Sequence, residues 1–143
     1  MELYFIETED ALYASELDLR FRVLREPLGH GRKDVPFPFE EQCLHLVAVD
    51  GGRVVGCVLF TADEEHSGRL FQMAISPQLQ GQGLGTRLVQ KLELELRKRK
   101  VERLHLHARD SATAFYERLG YRCVGDPFTE VGIRHRNMEK ELV

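Results

Sequence analysis

The sequence predicts an α+β fold in which helices cover both faces of a mostly antiparallel, twisted central sheet. Two apolar runs rich in β-branched residues flank Gly51-Gly52, and a glycine pair between such runs indicates a tight hairpin. A glycine-rich turn at residues 80–85 leads directly into a helix whose leucines recur every four residues. No repeat, linker or shift in composition divides the 143 residues, so we expect one domain spanning residues 1–143.

The N-terminal third of the chain is expected to form a short strand, a helix and a long loop. Residues 3–6 are the strand candidate. We expect the helix to begin after Thr8 or Asp10, either of which can cap it, and to end near Arg25. The segment that follows, residues 28–39, contains prolines and glycines that predict a loop.

The remaining elements follow from the periodicity of the apolar residues. Leucines four residues apart form a buried helical stripe, and the alternation of apolar residues with His105 and His107 is typical of a half-buried strand. Gly120 is expected to close the last helix at its C-terminal end. The predicted elements are strands over residues 44–50, 53–61, 69–75 and 104–108, helices over residues 84–96 and 112–119, and final strands over residues 121–125 and 135–141.

The composition bears on partners and on compartment. The formal net charge of −3, from 20 basic and 23 acidic side chains, argues against a nucleic-acid partner, whose phosphates need a basic surface. Cys43, Cys57 and Cys123 have neither disulfide-framework nor zinc-site spacing, which indicates a reducing compartment. The sequence shows no signal-peptide core and no stretch of membrane-spanning length. We therefore expect a cytoplasmic protein with no membrane partner.

The glycine-rich turn, residues 80–86, has the chemistry of an anion site. Glycines let the backbone approach a ligand closely, and the first amides of the following helix have no intrahelical acceptors. These amides lie at the positive end of the helix dipole, which suits a pyrophosphate. The turn lacks the Gly-Lys-Ser/Thr ending of a Walker loop and the glycine spacing of a dinucleotide fingerprint. A purely structural turn is the alternative.

Around this turn the chain resembles the Gcn5-related N-acetyltransferase (GNAT) family, in its bacterial single-domain branch. One motif is similar to the family's coenzyme A signature, and a second is similar to the motif that follows it at the expected distance. The two motifs are Gln80-x-x-Gly83-x-Gly85 and Ala112-x-x-Phe115-Tyr116-x-x-x-Gly120-Tyr121. The closing segment, residues 130–140, also resembles that branch. The resemblance implies the GNAT-type α/β/α fold and acetyl-CoA as the acyl donor.

The resemblance further implies how the donor is held. Amides of residues 82–86 would bind the pyrophosphate, and the edge of the strand at residues 73–75 would pair with the pantetheine arm. Many relatives have Asn where this chain has Arg109, which leaves open whether Arg109 contacts the donor or only caps the region. The implied donor-binding residues are Met73, Ala74, Ile75, Gln80, Gly81, Gln82, Gly83, Leu84, Gly85, Thr86, Arg109, Ala112, Phe115 and Tyr116.

The implied reaction is direct attack of an amine on the thioester, which needs a general acid and a general base. Tyr116 is the expected acid for the leaving thiolate, although its position on the helix face with Phe115 is also typical of a core aromatic. The strand at residues 69–75 lacks the carboxylate that some relatives use as a base. The base candidates are His107 and His135 first, then Glu40, Glu41 and His45, or a water relay.

We expect no metal, because His105-x-His107 has no acidic or cysteine ligand at a suitable spacing and the reaction does not need one.

The leading hypothesis is an N-acetyltransferase that acts on a primary amine of a small molecule or peptide. A non-catalytic acyl-CoA-binding regulatory module is the alternative, and an acetyltransferase of charged tRNA is a third reading that the acidic balance argues against. Relatives often dimerise, so a homodimer is one expectation. Four arginines in or near the first helix could bind a carboxylate or phosphate of the acceptor: Arg20, Arg22, Arg25 and Arg32.

Overall fold

The computed structural model describes residues 1–142, which form a seven-stranded sheet with helices on both faces. This arrangement confirms the predicted α+β fold. The strands are β1 (Glu2–Ile6), β2 (Leu44–Asp50), β3 (Arg53–Glu64), β4 (Ser67–Ile75), β5 (Arg103–Arg109), β6 (Arg122–Glu130) and β7 (Ile133–Glu141). The helices are α1 (Tyr13–Arg20), α2 (Leu84–Lys98) and α3 (Thr113–Arg118). No helix within the described range is long and apolar enough to cross a bilayer.

The strand order is β1-β2-β3-β4-β5-β7-β6, and within the described part of the chain only the β4–β5 pair is parallel. That pair is short, because its register covers only Ser67–Arg69 against Arg103–His105. Beyond these residues β4 and β5 both continue, but they no longer pair with each other. The sheet is therefore open along a gap between its N-terminal and C-terminal parts.

Each face of the sheet has its own apolar core. Leu46 and Ala48 of β2 pack with the leucine stripe of α2, while Val47 between them packs with Leu19 of α1 on the other face. This alternation follows from the two-residue repeat of a strand. The α2 leucines are fully part of the larger core, since Leu88, Leu92 and Leu96 have no exposed surface.

A bulge in β4 changes the face of the sheet on which the residues after the bulge lie. Cys57 pairs with Ala74 but Leu59 pairs with Phe71, so β4 has one extra residue at this point. Gln72 within it has a φ of +55°, which non-glycine residues rarely adopt. As a result Leu70 packs on the α2 face and Ala74 on the α1 face, although strict alternation would place both on one face.

Two sequence predictions about turns are confirmed, and one about a cap is wrong. Gly51 and Gly52 have φ of 60° and 75° in the β2–β3 hairpin, and Gly120 has a φ of 96° after α3. Neither Thr8 nor Asp10 caps α1, because that helix begins at Tyr13. The Asp10 carboxylate instead accepts a hydrogen bond from the amide of Leu12 and closes a preceding turn.

The extent of two other elements differs from prediction. The first helix reaches Arg25 as expected, but its last part, Phe21–Arg25, is a π-helical turn. The final hairpin is longer than predicted, since β6 continues to Glu130 and β7 starts at Ile133. The positive φ of Val131 and Gly132 makes a tight turn that the sequence prediction missed.

Candidate functional site

A cavity of about 450 Å³ lies at the gap between β4 and β5. Side chains from both faces of the sheet line it, including Leu106 from the α2 side and His107 from the α1 side. The π-helical turn after α1, the helix α3 and the β6–β7 hairpin complete the walls. Because the strands separate here, the cavity connects the two faces of the sheet.

The glycine turn stands at the start of α2 with its amides free. Gly81 and Gly83 have φ of 77° and 84°, and Gly83 is the N-cap residue that directly precedes α2. The backbone amides of residues 82–86 have no hydrogen-bond acceptor within the described part of the chain. A side chain at Gly83 would meet nothing within 4 Å, so the space beside these amides is open. This geometry is that of an anion cradle.

Three further contacts hold the turn in position. The Gln80 side chain donates from Nε2 to the carbonyl of Ile75 at 3.0 Å, and Gln82 donates to the carbonyl of Gln78 at 3.0 Å. A Cβ at Gly85 would lie 3.1 Å from Cζ of Phe115, so the small residue lets α3 pack closely on α2. The glycines thus serve both the open cradle and the packing behind it.

The β5-facing edge of β4 is unpaired at residues 73–75, where the family resemblance implies contact with the pantetheine arm. The last residue of β4 that pairs with β5 is Arg69, whereas Ala74 and Ile75 pair only with β3 on their other side. Met73 lies between the bulge and these residues and lines the cavity. An extended ligand could therefore add to this edge as a strand does.

Tyr116 of α3 has its ring in the core and its hydroxyl without a protein partner. The ring packs edge-on against Phe115 and Tyr121, with centroids 4.9 Å and 5.8 Å away. No residue from 1 to 142 accepts a hydrogen bond from its hydroxyl, and the residue lines the cavity. Burial raises the pKa of Tyr116 to about 12, so the phenol keeps its proton at neutral pH.

His107 and His135 converge on a carboxylate that the sequence analysis did not select. Glu130, the last residue of β6, places Oε1 3.0 Å from Nδ1 of His107 and Oε2 3.6 Å from Nε2 of His135. The pairing of Phe128 with His135 puts these side chains on the same face. Glu130 was missed because its strand was predicted to end at residue 125, although the turn at Val131 could have extended the hairpin.

The contacts of His107 fix which ring nitrogen carries a proton. Its Nδ1 lies 3.0 Å from Glu130 and 3.1 Å from Nη2 of Arg69. A carboxylate can only accept and a guanidinium can only donate, so one nitrogen cannot bond to both. We assign the proton to Nδ1, where it donates to Glu130, because an unprotonated Nδ1 would set its lone pair against a carboxylate oxygen 3.0 Å away. The other nitrogen, Nε2, then has a free lone pair.

Arg109 and Ala112 line the same cavity. Arg109 ends β5 and its backbone pairs with His135. Its side chain makes no hydrogen bond or ion pair with any residue that the structure describes. The Arg109 guanidinium therefore presents free donors to the cavity.

The remaining base candidates do not lie in the cavity. Glu41 is exposed, whereas Glu40 and His45 belong to a buried ion network around Arg20. Arg20 donates from Nη1 to Glu16 at 2.7 Å and from Nη2 to Glu40 at 2.7 Å. Its Nε also approaches Oε1 of Gln72 at 3.3 Å, which ties the network to the β4 bulge.

His45 is the second cation of this network. Its Nδ1 is 3.0 Å from the Glu16 carboxylate and its Nε2 is 2.9 Å from the carbonyl of Glu40, and both are acceptors only. Burial is the largest single influence and lowers the pKa of His45, but the hydrogen bonds to Glu16 and Glu40 and the charges of both carboxylates together outweigh it, so the net pKa is raised. Glu16, Glu40 and His45 are close enough to suggest a metal site, yet Arg20 already occupies the carboxylate oxygens. The four charges balance, as a buried network requires.

Comparison with known proteins adds sequence and structural relatives. A family model described as an acetyltransferase (GNAT) domain matches residues 34–142. YyaT, an uncharacterized protein of Bacillus subtilis (strain 168), is 30% identical over 111 residues, which cover 72% of this chain and 69% of that protein.

Two solved structures are similar over almost their whole length. An aminoglycoside 6′-N-acetyltransferase complexed with coenzyme A matches with a TM-score of 0.83 at 18% identity, covering 100% of this chain and 98% of that one. The ribosomal-protein-S18-alanine N-acetyltransferase from Escherichia coli matches with a TM-score of 0.79 at 25% identity, covering 99% of this chain and 93% of that one.

Proposed function

The chain belongs to the acetyltransferase (GNAT) family, and from that premise we propose that it transfers an acetyl group from acetyl-CoA to a primary amine of a small molecule or peptide. The observation that carries the proposal is the free β4 edge, which joins the open amide cradle to a cavity holding an unpartnered tyrosine hydroxyl. The relative that binds coenzyme A on the same fold supports this use of the cradle. We also propose one domain spanning residues 1–143, which is supported by the single sheet that includes both β1 and β7.

The residues proposed to bind the donor would contact coenzyme A at four points. The amides of residues 82–86 would bind the pyrophosphate, with no Cβ at Gly83 in the way. The edge at Met73–Ile75 would pair with the pantetheine amides. An amide of Ala74 or Ile75 would then polarise the thioester carbonyl as an oxyanion hole does. Arg109 would supply further donors near the start of α3.

Two side chains would move the protons of the reaction. Nε2 of His107 would take a proton from the attacking amine, directly or through one water, while Glu130 stabilises the imidazolium that forms. Tyr116 would give its proton to the sulfur as the C–S bond breaks and the C–N bond forms. His135 donates from Nδ1 to the carbonyl of Ile133 at 2.8 Å, so we assign it a positioning role beside Glu130.

Calorimetric titration with acetyl-CoA, followed by thiol release with a panel of amines, tests this function. We expect binding, and thiol release that depends on an added amine. Binding without turnover for any amine would favour the regulatory module instead. No affinity for acetyl-CoA, coenzyme A or longer acyl-CoAs would show that the glycine turn is only structural.

A further inference from the structure

The cavity carries the opposite charge to the chain as a whole. The formal net charge of the protein is −3, yet three arginines and one carboxylate line the cavity. The arginines are Arg25, Arg69 and Arg109, and the carboxylate is Glu130. One carboxylate balances only one of the three guanidinium groups, so these side chains leave the cavity with a positive formal charge. An anion would therefore be attracted to this cavity.

The first-helix arginines differ in whether a protein acid already pairs with them. Arg22 and Arg32 both bind Asp18, each at 2.9 Å. Arg20 belongs to the buried ion network and faces away from solvent. Arg25 alone of these four lines the cavity, and its side chain has no acceptor among residues 1–142.

Arg69 stands at the closed end of the β4–β5 gap, on the same face as His107. Its register partner is His105, and His107 follows two residues later, which places all three side chains on one face. Among residues 1–142, Nη2 of Arg69 lies within hydrogen-bonding distance only of the protonated Nδ1 of His107, and its Nε is buried without an acceptor. A buried donor without an acceptor costs free energy, and a bound anion would recover it.

We propose that the acceptor amine also carries a carboxylate or phosphate group, and that Arg25 and Arg69 bind this group. The proposal rests on the proposed acetyl transfer, because it places the anion beside His107, the base in that scheme. Arg109, at the end of β5, is not part of this anion site, because we propose that it binds the acyl donor. Guanidinium groups suit both anions, since each presents a planar set of donors to their oxygens.

Matched acceptors test the proposal through thiol release from acetyl-CoA. Alanine is compared with alanine amide, and O-phosphoethanolamine with ethanolamine, so each pair differs chiefly in the anion. We expect kcat/KM at least about tenfold higher for the charged member of one pair, as a charged hydrogen bond provides. The pair that shows the difference identifies carboxylate or phosphate as the group. Equal or better use of both neutral members would overturn the proposal while leaving acetyl transfer intact.

Three variants locate the anion site. In Arg25→Met and Arg69→Met, the ratio of kcat/KM for the charged acceptor to kcat/KM for the neutral acceptor should fall toward one. Unchanged affinity for acetyl-CoA would show that each variant is folded. Arg22→Met, which removes an arginine paired with Asp18, is the control and should keep the ratio. An unchanged ratio in both cavity variants contradicts the assignment.

Direct binding separates failure of this inference from failure of the proposed function. If no amine is acetylated, calorimetry with O-phosphoethanolamine and with alanine, in the presence of coenzyme A, still measures the anion site. Binding that is lost in Arg69→Met supports the site without turnover. Binding that is absent, or equal in wild type and Arg69→Met, rejects it.

Discussion

Three of the four tyrosine hydroxyls donate to a glutamate, and Tyr116 is the exception. Tyr121, its neighbour in the core, donates to Glu93 at 2.7 Å. A hydroxyl that the fold leaves unpaired beside a cavity is available to a substrate, which is the property a general acid needs. At the residue scale, the Tyr121 hydroxyl therefore has a structural partner, whereas the Tyr116 hydroxyl is available for function.

Tyr116→Phe should lower kcat about a hundredfold with little change in acetyl-CoA affinity or stability. The loss is expected because only the proton donor is removed, while the ring still packs. Tyr121→Phe is the matched control, and should cost about 1–2 kcal/mol of unfolding free energy but keep kcat, because its hydroxyl satisfies Glu93. Steady-state thiol release and denaturant unfolding measure both. A Tyr116→Phe enzyme with unchanged kcat would rule out its role as the acid.

At the scale of elements, the glycine turn shows what local sequence can predict. Its positive φ at Gly81 and Gly83 and its place before α2 depend only on neighbouring residues, so the sequence prediction of the turn needed no tertiary information. The β2–β3 hairpin was predictable for the same reason. The turn at Gly52 has a similar φ of 75° and equally open space, but lies far along the chain from the cradle.

Gly83→Glu should raise the Kd for acetyl-CoA at least about a hundredfold, because it places a carboxylate beside the cradle for the pyrophosphate. Backbone strain should cost about 1–2 kcal/mol, since the residue keeps a φ of +84°. Gly52→Glu is expected to show the same strain without the loss of affinity. Calorimetry and thermal unfolding of the two variants give both quantities. Equal loss of affinity in the two variants would mean that strain, and not the cradle, is responsible.

The features that the sequence did not predict depend on strand pairing. The β4 bulge is visible only when Cys57 and Leu59 are matched with their partners on β4. Glu130 joins His107 only because β6 and β7 extend to a tight turn and β7 pairs with β5. Single-sequence periodicity gives the type of an element but not its register against a distant strand. The sequence therefore indicates His107 as a candidate base but not Glu130, the carboxylate that contacts it.

At the scale of the whole molecule, the buried ion network joins segments that are distant in the chain. Glu16 and Arg20 come from α1, Glu40 precedes β2, His45 lies in β2, and the network reaches Gln72 in β4. Its charges balance only while His45 is protonated. The stability of the fold should therefore depend on pH above the ordinary range of a histidine.

The raised pKa of His45 sets the direction of that dependence. The folded state binds the His45 proton more tightly than the unfolded state does. This contribution to the unfolding free energy is fully present below the unfolded pKa of about 6.5, and it is lost as the pH rises through the folded pKa. We expect the unfolding free energy of wild type to exceed that of His45→Gln by less and less as the pH rises above 6.5, with a loss of at most about 1.4 kcal/mol per pH unit. Urea unfolding across this range measures it. A constant or growing advantage would contradict a charged His45.

The place of β7 between β5 and β6 bears on how the protein is synthesised. A ribosome releases strands in chain order, so β5 and β6 both emerge before the strand that joins them. The strands β1 to β4 are neighbours both in the chain and in space, and can pair during translation. Until residues 133–141 arrive, β5 keeps an open edge and Glu130 has no hairpin to bring it to His107. A nascent chain would thus acquire its donor cradle before the polar cluster that we propose activates the acceptor.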